Sequence, residues 1–117
     1  MIWLVAAAAA FNLVCSGTVT TWSPTQAPSD QAWQDVFRID LDSQRWCRGA
    51  CDETRPIDQT LPTELVLAMR RPLEGVTLKV NRESGRLTEA FTLDEHHALT
   101  RAECARAPFG GFPQPLF

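Results

Sequence analysis

Alternation with a period of two constrains this chain more than any other feature of its sequence. Val76, Leu78 and Val80 interleave with Thr77, Lys79 and Asn81; Asn81–Gly85 is a run of turn residues; Leu87, Phe91 and Leu93 then share one face, interrupted by Glu89. Only an extended strand sends successive side chains to opposite sides, so the segment reads as a β-hairpin. Gly85 supplies the positive φ that a hairpin with a G1-type bulge requires. The same period recurs where Phe37, Ile39 and Leu41 face away from Arg38, Asp40 and Asp42. Leu65, Leu67 and Met69 repeat it in a strand stopped by Arg70-Arg71-Pro72, with the two arginines guarding an edge. Residues 12–22 are rich in β-branched side chains, with Leu13, Cys15 and Val19 on one face.

No later segment carries a convincing helical stripe. Residues 94–106 form the one plausible helical turn, with Asp94 as its N-cap. Residues 23–31 (SPTQAPSDQ) read as a polar, proline-bearing loop, Asp42-Ser43-Gln44 as a turn, and 48–62 as an irregular stretch. The expectation is an all-β fold: an antiparallel meander of about five to six strands curling into a small barrel or half-barrel. The tail 107–117 (APFGGFPQPLF) is too rich in proline for a central strand, and its Phe109, Phe112 and Phe117 are expected to cap an open barrel end.

At 117 residues the chain is one domain. Residues 1–10 (MIWLVAAAAA) are wholly apolar, and the alanine run ends in an A-x-A pattern at Ala10. The segment is too short to span a bilayer, which takes about 20 apolar residues. It reads as an export signal cleaved after Ala10, leaving residues 11–117 as a β-domain with no membrane span. A basic n-region is missing, which places the expected natural start upstream of Met1. Cys15 follows Val14, where lipid attachment expects a small residue, so a lipoprotein is not expected. A net charge of −3 with no basic cluster excludes a nucleic-acid partner, which needs a concentrated positive face.

Cys15, Cys47, Cys51 and Cys104 all survive that cleavage, and the even count suits an oxidising compartment, periplasmic or secreted. Three connectivities are open. The economical one pairs Cys47 with Cys51 and Cys15 with Cys104, tying the first strand to the C-terminal segment. A bridge between Cys47 and Cys51 forces Arg48-Gly49-Ala50 to turn back, because extended backbone would hold the two Cα atoms about 13 Å apart. Trp46-Cys47 imitates the start of a thioredoxin motif, yet its spacer is a residue too long and no βαβ pattern surrounds it. A metal reading would join Cys47 and Cys51 to His96 or His97, as in the copper site of the Sco family. Adjacent histidines on a strand face opposite ways, and the thioredoxin fold of that family has no trace here, so scaffold cysteines are the stronger reading. Asp40 and Asp42 could form a carboxylate dyad, with no further residue to support one. Ser16 and Ser84 precede glycine but lie outside any G-x-S-x-G. No catalytic residue and no cofactor is expected.

Four blocks together, FNLVCSGT (11–18), FRIDLDSQRWCRGAC (37–51), VNRESGRLTE (80–89) and APFGGFP (107–113), resemble a family of small exported alphaproteobacterial proteins. That resemblance implies export, a mature start near Phe11 and four scaffold cysteines. It implies no activity. A looser architectural likeness is to bacterial lysozyme inhibitors of the MliC type, small exported β-barrels with an early and a C-terminal cysteine. Their Ser-Gly-x-x-Tyr loop is missing, since this chain has no tyrosine.

The functional expectation is a non-enzymatic binding domain. Its partner is either a small apolar ligand, in a cavity lined by Leu65, Leu67, Val76, Leu78, Val80, Phe91 and Trp33, or an envelope protein on its surface. An inhibitor of a cell-wall hydrolase is the alternative.

Overall fold

The computed structural model describes residues 8–70 and 74–113. Among the described residues alternation is realised as nine strands: β1 (Ala10–Ser23), β2 (Gln26–Asp40), β3 (Arg45–Arg48), β4 (Arg55–Pro56), β5 (Gln59–Thr60), β6 (Glu64–Arg70), β7 (Glu74–Asn81), β8 (Arg86–Leu93) and β9 (His96–Ala107). They form one antiparallel sheet in the order β4-β3-β2-β1-β9-β8-β7-β6-β5, so the first and last long strands meet at its centre. No helix occurs among the described residues.

β1 and β9 pair from Asn12↔Ala107 to Trp22↔His97, and Cys15 stands directly opposite Cys104 in that ladder. Their side chains are disulfide-bonded, with Cα atoms 4.0 Å apart. Two registers further along, Gly17 lies so close to β9 that a Cβ there would sit 2.0 Å from the Arg101 carbonyl oxygen. Only glycine fits that approach. Gly85, at φ 75°, closes the β7–β8 turn under Cys104, whose N–H donates to the Gly85 carbonyl at 2.8 Å.

One face of the sheet carries the core. Leu13, Cys15, Phe37, Ile39, Trp46, Leu65, Leu67, Leu78, Val80 and Leu87 are all buried and in mutual contact. The sheet curls around them into a half-barrel until its two ends approach. The Trp46 indole N–H, on β3, donates to the Leu67 carbonyl of β6 at 3.0 Å. Thr60, on β5, donates to Gln44 at 2.9 Å.

β1 and β2 run on past the core. Strands of 14 and 15 residues reach roughly 50 Å at about 3.4 Å per residue, and the molecule measures 63 × 38 × 24 Å. Residues 26–32 are all exposed, paired to β1 on one side only. Across from Trp22 the register shifts so that Ala27 and Pro28 oppose one residue, a β-bulge that accommodates the proline.

Several sequence expectations are corrected here. The hairpin over 76–93 forms as read, but the described residues make nine strands rather than five to six. Residues 23–31 are not a loop: only Pro24 and Thr25 turn, and β2 begins at Gln26. The irregular stretch 48–62 includes two short strands. The expected helical turn at 94–106 is strand β9, sandwiched between β1 and β8. Asp94, at φ 54°, sits in the β8–β9 turn rather than capping a helix. The described part of the tail, residues 107–113, does not cap the barrel. It lies on the outer face, where Gly110 N–H donates to the Asn12 side chain and Arg38 donates to the Gly111 carbonyl at 2.9 Å. Phe109 and Phe112 pack edge to face there, 5.1 Å between centroids. Residues 1–7 of the expected leader, Arg71 and Pro72 of the expected edge guard, and Phe117 lie outside the described residues.

Candidate functional site

The segment 45–51 builds the most structured polar feature of the molecule. β3 leaves the sheet at Arg48, and the chain turns back through Gly49 and Cys51, both at left-handed φ (58° and 57°). The Cys51 N–H closes the turn on the Arg48 carbonyl at 2.9 Å. A disulfide between Cys47 and Cys51, Cα atoms 5.1 Å apart, locks it, and both cysteines are buried. Gly49 N–H donates to Val36, tying the turn to β2.

Inside this ring sits Arg48, aimed across the half-barrel. Its Nε donates to Asp35 of β2 at 2.9 Å, and its two terminal nitrogens donate to Glu89 of β8 at 2.6 and 3.1 Å. The guanidinium also lies over the Phe37 ring, 4.8 Å from its centroid. Burial works against its charge. The hydrogen bonds and charges of Glu89, then of Asp35, outweigh that burial and hold the Arg48 pKa above arginine's ordinary value. This is a forked charge-assisted clamp joining the two halves of the curled sheet.

Beside the clamp is an open cleft of about 280 Å³. Trp46, Ala68, Val76 and Leu78 give it an apolar floor; Arg48, Asp52, Glu53, Arg55 and Glu89 form its rim. Arg55 pairs with Glu53 at 2.9 Å, both largely exposed. At the opposite end of the half-barrel a second open groove, about 600 Å³, runs over Phe11, Leu13, Leu41, Leu65 and Val80 between Ala8 and Ala9 on one wall and Arg82–Gly85 on another.

The structure does not gather the seven expected lining residues around one cavity. Leu65, Leu67, Leu78 and Val80 are buried in the packed core. Val76 borders the cleft beside the clamp. Trp33 is half-buried against Phe37, ring centroids 6.4 Å apart. Phe91 lies beyond the clamp and is 37% exposed. Alternation puts it, with Leu93 at 39% exposure, on the same face as buried Leu87. The core-side face thus continues past the filled interior as an open apolar strip.

The metal constellation is not assembled either. Cys47 and Cys51 are joined to each other, whereas His96 and His97 pair with Leu93 and Thr92 at the far end of β8. The His97 ring stacks on Trp22 at 5.2 Å and contacts the Thr92 hydroxyl at 3.2 Å. Among the described residues no three His, Cys, Asp or Glu side chains are grouped to hold a metal ion. Asp40 accepts from the N–H groups of Asp42 and Ser43, which makes it a turn residue rather than half of a dyad.

Sequence reasoning passed over Asp35 and Arg48 as chemistry. Glu89 was the available signal: a carboxylate interrupting an otherwise apolar strand face needs a cation beside it, and Arg48 provides one. Nothing in the linear sequence pairs residues 48 and 89. No family model, curated protein or solved structure matches the chain.

Proposed function

We propose that this is an exported, non-enzymatic binding domain whose partner is a protein, held against the open apolar strip formed by Trp33, Val76, Phe91 and Leu93. The carrying observation is the contrast along one sheet face. Its inner part is filled by Phe37, Leu67, Leu78 and Leu87, each at most 1% exposed, while Phe91 and Leu93 beyond the clamp are uncovered. A small apolar ligand needs an enclosed apolar space, whereas a protein needs a rigid surface with unburied large side chains. Two disulfides are consistent with an extracellular or periplasmic site of action.

The test places a photo-crosslinking residue at position 91 or 93 in the exported protein, with position 83 as the control. A discrete protein adduct, identified by mass spectrometry and lost when Leu93 is changed to Asp in the position-91 protein, is the expected result. No adduct beyond the control would sink the reading. A lipid-sized molecule retained by the native protein in mass spectrometry would favour the ligand version instead.

Inhibition of a cell-wall hydrolase is the narrower reading. The exposed β1–β2 turn at Pro24 and Thr25 favours it, because a loop at the end of the sheet can enter an enzyme's substrate cleft. Lysozyme assays with purified protein test it, and full activity at high micromolar protein rejects it.

A further inference from the structure

β2 pairs with β3 only from Phe37 to Asp40, so its outer edge before that point is bare backbone among the described residues. One hydrogen bond fixes which groups that edge offers. The Val36 carbonyl accepts from the Gly49 N–H at 3.0 Å, so Val36 directs its backbone outward. In an antiparallel strand each residue sends N–H and C=O to one side and its neighbours send theirs to the other. The β1–β2 register runs unbroken from Ser29 to Asp40, so Gln34, Ala32 and Asp30 point outward as well. Their donors and acceptors have no partner strand among the described residues. This slot has two ends. Pro28 has no N–H to give at one. At the other, the Val36 N–H donates to the Asp35 side chain at 2.7 Å and the Gly49 turn occupies its carbonyl. Between them Asp30–Gln34 spans about 17 Å, room for five residues of strand. Trp33 lies on the core-side face of the slot, and Asp30 on the other face accepts from Thr20 and pairs with no cation among the described residues.

We propose that this slot takes up an extended, basic segment of a partner protein as an added strand; the inference rests on the protein-partner reading above and names the partner's chemistry. A lysine or arginine across from Asp30 supplies the missing charge. Alternate apolar side chains then lie beside Trp33, at the near end of the strip. A second copy of the chain is a poorer occupant. Twofold pairing about Ala32 sets Pro28 of each copy opposite Val36 of the other, where the Gly49 turn already sits. Sliding the copies until each β2 stops short of that turn brings Asp30 opposite Asp30, like charge against like.

The experiment measures amide hydrogen exchange by NMR on the exported protein, with a capped seven-residue peptide alternating valine and lysine as the probe. Exchange at Asp30, Ala32 and Gln34 should slow by about tenfold or more at saturation. The same peptide with glutamate for lysine should bind at least about threefold more weakly. Ala32→Pro, which removes one outward donor, should abolish the protection. Asp30→Lys leaves the backbone alone and should reverse the preference between the two peptides. No slowing with the lysine peptide, or equal affinity for both peptides, overturns the inference. Slowing that rises with protein concentration in the absence of peptide overturns it in favour of a second copy. A protein adduct at position 91 or 93 without protection here overturns this inference and leaves the strip reading standing.

Discussion

At the scale of single residues, the clamp and the tightly packed Gly17 make the sharpest predictions. Removing Arg48 leaves Asp35 and Glu89, both mostly shielded, facing each other without their cation. Arg48→Met should destabilise the fold by about 1–3 kcal/mol, discounted from a fully buried pair because the arginine is one-third exposed. Glu53→Gln breaks only the exposed pair with Arg55 and should shift stability by less than about 0.5 kcal/mol. Chemical denaturation of both variants, and of Arg48→Met combined with Glu89→Gln, would show whether the residues couple. The sign of the pH effect follows from the raised Arg48 pKa. A group protonated more tightly in the folded state contributes fully below its unfolded pKa and loses that contribution only as pH climbs through the raised value. Arginine titration should therefore leave stability flat between about pH 6 and 10. Gly17→Ala should cost about 3 kcal/mol, since β1 and β9 must separate to admit a methyl group. Gly75→Ala meets nothing closer than Thr92 at 3.8 Å and should be near neutral in the same measurement.

Elements obey a different logic, because their stability depends on what the unfolded chain can do. The Cys15–Cys104 bridge closes a loop with a sequence separation of 89, and Cys47–Cys51 one of 4. Loop-closure entropy assigns about 4.6 kcal/mol to the first and about 2 kcal/mol to the second. Replacing each cysteine pair by Ala should reproduce that order in thermal melts. An equal loss would mean that the short ring acts mainly through the Arg48 clamp it holds in place. β2 raises a separate hazard, since its outer edge from Gln26 to Asp35 has no neighbouring strand among the described residues. The Pro28 bulge and Asp30, which accepts from Thr20 at 2.6 Å, interrupt and charge that edge. Pro28→Val together with Asp30→Val should promote self-association, visible as higher-order species in size-exclusion chromatography. A variant that stays at the wild-type elution volume would show that the edge needs no guard.

For the molecule as a whole, the decisive fact is that β1 pairs with β9. The sheet's centre cannot form until the C-terminal strand is present, which makes folding dependent on long-range pairing and hence slow. A chain ending at Asp94 should lack the cooperative thermal transition of the full chain, even though its β6–β8 hairpins are intact in sequence. The same closure explains the clamp. Residues 48 and 89 meet only because nine strands curl far enough to bring β3 over β8.

What could be read without coordinates follows from locality. The hairpin over 76–93 was legible because alternation, turn residues and Gly85 agree within one short window. The pairing of the four cysteines remained a choice among three until strand register put Cys15 opposite Cys104 and the turn at Gly49 brought Cys51 back to Cys47. Residues 94–106 (DEHHALTRAECAR) read as helical because alanine, leucine and glutamate favour a helix when nothing else competes. Between β1 and β8, backbone pairing on both sides outweighs that small local preference. The polar tip of β2 was misread as a loop for the converse reason. It buries little, so no hydrophobic period marks it, and its extended form is imposed by its partner strand alone. By itself the sequence determined an all-β chain with its clearest hairpin and its supply of cysteines. Only the tertiary structure decided the strand order, the clamp and the uncovered strip, because each depends on residues far apart in the chain meeting across one curled sheet.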